Sequence, residues 1–99
     1  ERALKYAAVA VQLAPDAPIW LTRGVALKNL GRMGEAERAY QQALALEPDA
    51  PDAWFNLGNL YRAQGRVARA RVAYARVAGR DTPLGARARD IIAELNTTQ

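Results

Sequence analysis

The sequence contains no cysteine and no histidine. The first absence excludes disulfides and thiolate metal sites and leaves the redox compartment unreadable. Together the two absences remove the commonest general base, the commonest zinc ligand and the strongest nucleophile, so most hydrolytic and redox mechanisms lack their central group. Long apolar runs are missing too: Ala7 to Pro15 is uncharged, yet it covers about half of the roughly 20 residues that cross a bilayer and reads as a helix face. A non-catalytic, soluble chain with no cofactor, no metal and no membrane segment is expected. Composition does not decide between a cytoplasmic and a periplasmic location.

What is present is a 99-residue chain that is 51% hydrophobic, enough for one small domain. Its net charge of +4 is unevenly spread. Residues 1 to 50 carry six basic and six acidic side chains, whereas residues 51 to 99 carry eight arginines and four acids. Arginine outnumbers lysine twelve to two and alanine is the commonest residue, a bias expected of a GC-rich bacterial coding sequence. The chain begins at Glu1 already inside a helical pattern, so it reads as a fragment of a larger protein.

Self-similarity decides the architecture. An offset of 34 in the numbering lays Trp20 on Trp54, Gly24 on Gly58, Gly31 on Gly65, Arg32 on Arg66, Ala36 on Ala70, Ala39 on Ala73 and Tyr40 on Tyr74. Each unit reads as two helices joined by a glycine turn and closed by a proline such as Pro48, where a missing amide donor and a fixed φ end one helix and Pro51 starts the next. Apolar residues recur at three and four, so each helix is amphipathic and needs a neighbour. Gly24, Ala36, Gly58 and Ala70 stand where helices cross closely. Six helices are expected, at about 2 to 14, 18 to 30, 34 to 46, 51 to 64, 67 to 79 and 84 to 95, with Asn96 to Gln99 fraying. Asp16, Asp49, Asp52 and Asp81 read as helix-start caps, and Glu35 and Glu37 as first-turn complements of a helix dipole.

In this order, Trp54, Leu57, Gly58, Tyr61, Ala70 and Tyr74 resemble the tetratricopeptide repeat family, and Trp20, Gly24, Leu27, Ala36, Tyr40, Ala43 and Pro48 repeat the pattern. The first unit departs in residue type with Arg23 where the family usually has Leu and Leu27 where it has Tyr, and the second with Val77 in place of the small Ala and the late Pro83. The resemblance implies an all-α, right-handed solenoid of antiparallel helix pairs. Residues 1 to 16 would be the second helix of a truncated repeat, 17 to 50 and 51 to 84 full repeats, and 85 to 96 a capping helix with Ile91, Ile92 and Leu95 inward.

From the family's groove positions, the resemblance implies a scaffold that holds a protein or peptide segment against Leu21, Val25, Lys28, Asn29, Phe55, Asn56, Asn59 and Arg62, with Arg89 reaching in from the cap. Asparagine suits this because its amide both donates to and accepts from an extended main chain. Lys28 and Arg62 occupy equivalent places in the two repeats and would favour an acidic segment or a carboxylate terminus. Solvated surface charge is the competing reading for both. The carboxylate clamp of the family's chaperone-binding members is incomplete, since Leu21 and Val25 stand where it needs polar residues.

Two other readings compete. Arg66, Arg69, Arg71, Arg76 and Arg80 form a basic stretch that could meet nucleic acid, although they wrap around the helix and no stacking aromatics are interleaved, which disfavours it. Leu4, Val9, Val11 and Leu13 on an exposed end helix could instead make a homo-oligomer.

Overall fold

The computed structural model describes residues 16–97, which are helical throughout apart from short turns. Five helices follow one another: α1 (Ala17–Asn29), α2 (Met33–Leu46), α3 (Pro51–Ala63), α4 (Val67–Ala78) and α5 (Pro83–Thr97). The helix expected at 2 to 14, with the self-association face of Leu4, Val9, Val11 and Leu13, lies outside the described residues.

Local chemistry sets the helix ends. The Asp16 carboxylate accepts from the Ile19 amide at 3.2 Å and opens α1, and Thr82 Oγ1 accepts from the Gly85 amide at 3.0 Å to open α5. Pro51 and Pro83 occupy first-turn positions where no amide is needed. Helices α1 and α3 end alike: Gly31 and Gly65 adopt φ of +81° and +77°, and the next amides, Arg32 and Arg66, return to the Leu27 and Tyr61 carbonyls, each at 2.8 Å. A Cβ at Gly31 or Gly65 meets nothing within 4 Å, so alanine there is opposed by backbone conformation alone. We expect Gly31→Ala and Gly65→Ala each to cost about 1 kcal/mol, read as a lowered denaturant midpoint with an unchanged slope. The chain remains helical through Thr97, whose hydroxyl donates to the Glu94 carbonyl at 2.9 Å, so Asn96 belongs to α5 instead of fraying.

Adjacent helices pack antiparallel in sequence order. In addition α1 touches α3, and α3 touches α5, whereas among the described residues α2 and α4 do not meet. That pattern puts α1, α3 and α5 on the inner side of a curved stack and α2 and α4 outside. The core runs along the seam between the two layers. Tyr40, Tyr74, Leu60 and Val77 are its largest fully buried side chains, and the cap contributes Ala88, Ile91 and Leu95. The Tyr40 ring lies over Gly24 and the Tyr74 ring over Gly58, the close approach that the small residues imply. A second, thinner cluster of Ala17, Ala43 and Ala53, flanked by Trp20 and Leu44, joins α1 to the repeat that follows.

One repeat is tied to the next by polar contacts that the sequence periodicity does not announce. Glu37 accepts the Tyr61 hydroxyl proton at 2.8 Å and lies 3.8 Å from Arg66, so its carboxylate is a joint between repeats besides lying near a helix start. The Trp54 indole donates to the Pro48 carbonyl at 2.8 Å, and Arg80 donates to the Asp49 carbonyl at 2.8 Å. Among the described residues no helix is long and apolar enough to cross a membrane.

Candidate functional site

Because α1, α3 and α5 share the inner face, side chains from the last turns of α1 and α3 and from the second turn of α5 converge there. Lys28 from α1, Asn59 and Arg62 from α3, and Arg87 from α5 line one pocket of about 420 Å³, with Ala63 and Ile91 as its apolar part. Glu94 stands 3.9 Å from the Arg62 guanidinium. Behind the pocket the buried Tyr74 hydroxyl donates to Asn59 Oδ1. Burial raises the Tyr74 phenol above its ordinary value, while the Arg62 and Arg87 guanidinia pull it the other way, so both cations face the same phenol.

The nine residues that the sequence singles out fall into distinct environments. Lys28, Asn59 and Arg62 meet in the pocket. Val25 is 37% exposed, one turn before Lys28 on the same helix, and Asn29 is exposed beside it. Leu21 is half-buried and packs into both apolar clusters. Phe55 is buried and meets the Tyr74 ring edge-on at 5.4 Å between centroids, so most of it belongs to the core. Asn56 donates to the Asp52 carbonyl one turn back at 2.8 Å. Arg89 donates to the Ala78 and Arg80 carbonyls at 2.6 and 3.2 Å, closing the end of α4.

Arg87 is not among those nine. Its signal lies in the prolines that open α3 and α5, Pro51 and Pro83, which stand at an offset of 32 where the repeat would give 34. An offset of 34 maps Phe55 on Arg89, whereas an offset of 32 maps it on Arg87. The Arg87 guanidinium indeed lies over the Phe55 ring, 5.6 Å from its centroid.

The outer arginines are engaged within the fold. Arg66 and Arg69 lie 6.0 and 5.9 Å from the Tyr61 ring centroid, Arg76 lies 4.7 Å from that of Trp54, and Arg80 holds the Asp49 carbonyl. Between α2 and α4 a larger cleft of about 560 Å³ opens, floored by Trp54, Leu57 and Tyr61.

Comparison with known proteins agrees with this architecture. The chain is 32% identical over 80 residues to the protein O-mannosyl-transferase TMTC1 of Mus musculus, covering 76% of this chain. It is 31% identical over 81 residues to the Homo sapiens protein of the same name, covering 77% of this chain. The chain spans 8% and 9% of the length of those relatives. Both are mammalian, so the bacterial source expected from composition finds no support in them. The family model of the tetratricopeptide repeat matches residues 21–90, and the chain belongs to that family.

Proposed function

We propose that this chain is a non-catalytic interaction scaffold whose inner groove binds an extended or helical segment of another protein. The observation that carries this reading is the convergence of Lys28, Asn59, Arg62 and Arg87 from three successive inner helices into one pocket. Exposed Val25 and Asn29 lie within one turn of Lys28 on α1 and would offer an apolar and an amide contact beside the charge. Family membership supports a protein partner in general terms and supplies no identity for it. The transferase activity in the relatives' name belongs to proteins of which this chain matches less than a tenth, and it is not carried over.

Site-directed photo-cross-linking in a lysate tests the reading, with the cross-linker placed at Asn29 or Arg62 on the inner face and at Val72 or Arg76 on the outer face. A polypeptide partner should be trapped from positions 29 and 62, and trapping at position 29 should fall about tenfold in an Asn59→Ala, Arg62→Glu variant. An Arg69→Glu, Arg76→Glu variant should keep it. Trapping from positions 72 and 76 alone, or its disappearance on nuclease treatment, would move the site to the outer helices.

A further inference from the structure

Resting on that reading of the groove, we propose that the pocket formed by Lys28, Asn59, Arg62 and Arg87 takes a phosphorylated side chain of the bound segment. The argument is one of charge and donor count. Three cations enter the pocket, and the acid the structure pairs with them is Glu94, at 3.9 Å from Arg62. Three positive charges less one negative charge leave a formal surplus of two. A single carboxylate brings one charge and leaves half the surplus in place. A phosphate monoester brings about 1.5 to 2 negative charges at neutral pH and three acceptor oxygens.

The donors match that ligand. Two guanidiniums offer planar forks, and Lys28 adds three N–H bonds. The Asn59 amide oxygen is taken by the Tyr74 hydroxyl, which fixes the amide and leaves its N–H bonds for an acceptor. Arg87 is steadied over the Phe55 ring, which places one fork before the ligand arrives, whereas Arg62 faces Glu94 at 3.9 Å across an exposed contact and can turn to the ligand. Ala63 and Ile91 supply an apolar part for the carbon stem of the side chain. The site suits one phosphate and not a polyphosphate backbone, because Arg66, Arg69, Arg76 and Arg80, which would have to continue a charged track, do not line this pocket.

Nuclear magnetic resonance titration of the isotope-labelled chain tests this at fixed ionic strength, with inorganic phosphate, capped phosphoserine and acetate as probes. Both phosphates should shift the Asn59 side-chain amide and the Arg62 and Arg87 Nε–H signals, at least about tenfold more tightly than acetate. Capped phosphoserine should bind at least as tightly as inorganic phosphate, since its stem reaches Ile91. Arg87→Gln and, separately, Arg62→Gln should weaken binding about tenfold, and Arg89→Gln should leave it unchanged. Equal binding of acetate and phosphate, tighter binding of inorganic phosphate than of phosphoserine, or shifts confined to Arg66, Arg69 and Arg76 would overturn the proposal. Such a failure with cross-links at positions 29 and 62 intact sinks the phosphate subsite alone. Loss of those cross-links sinks the groove reading instead.

Discussion

Replacing Gly58 with alanine is expected to destabilise the chain by roughly 1 to 3 kcal/mol, although alanine is the better helix former by about 1 kcal/mol. A Cβ built at Gly58 would sit 2.8 to 2.9 Å from three carbons of the Tyr74 ring. That ring is fully buried and is wedged edge-on against Phe55, so it cannot swing aside as an exposed chain end would. Either the ring leaves its rotamer or α3 and α4 move apart, and the seam of the core opens. Gly34 provides the opposite case. It lies in α2, and a Cβ there meets nothing within 4 Å. Gly34→Ala should therefore stabilise, by up to about 1 kcal/mol. Thermal unfolding of the two variants checks this: Gly58→Ala should lower Tm by about 4 to 8 °C for each kcal/mol lost, and Gly34→Ala should raise it. Gly24→Ala should behave like Gly58→Ala, because its Cβ would press on the Tyr40 ring. If Gly58→Ala and Gly34→Ala both raise Tm, close packing at the crossing is not what selects glycine.

The same contacts explain why the helices could be read from sequence. Glycine and alanine at the crossing, tyrosine over them and the glycine turn between helices recur at one fixed offset because each repeat solves one packing problem with the same parts. Contacts between repeats obey no such period. Glu37 reads as a helix-start carboxylate until the fold brings Tyr61, 24 residues away, to within 2.8 Å of it. Arg66, Arg69 and Arg76, at the start of α4 and within it, read as a basic patch because sequence shows their number and hides their aromatic partners in α3.

The site was legible to the extent that it follows the repeat. Lys28 and Arg62 occupy equivalent positions and do meet in one pocket. Arg87 does not follow the repeat, since α5 opens two positions early and the offset of 34 lands on Arg89. Asn59 stands out in the sequence because asparagine is a poor helix-interior residue without a partner. The fold supplies an internal partner, the Tyr74 hydroxyl, alongside any external one.

That internal partner yields the other large prediction, for Asn59 is matched in the preceding repeat by Val25. Tyr40 and Tyr74 lie over equivalent glycines, yet among the described residues the buried Tyr40 hydroxyl has no hydrogen-bond partner. Burial pushes its pKa up to about 12. An orphaned buried hydroxyl costs about 1 to 3 kcal/mol, whereas a satisfied one contributes about 1 kcal/mol. Tyr40→Phe should thus stabilise the chain at pH 7 by about 1 kcal/mol or more, and Tyr74→Phe should destabilise it by about as much. Val25→Asn should supply the missing acceptor and stabilise, an effect that should vanish in a Tyr40→Phe background; denaturant titrations of the parent, the two single variants and the double variant form the cycle. The pH dependence follows with a definite sign. In the unfolded chain the phenol ionises near pH 10, and in the folded chain near 12, so the folded state holds its proton more tightly. Stability from this group is fully present below pH 10 and is lost as pH rises through 12, by roughly 2 to 3 kcal/mol. Tyr40→Phe should remove that share of the alkaline decline, while Tyr74 and Tyr61, whose pKa values burial also raises, keep theirs. Equal effects of Tyr40→Phe and Tyr74→Phe at pH 7 would mean that the Tyr40 hydroxyl has a partner in solution, and the asymmetry between the two repeats would then lie elsewhere.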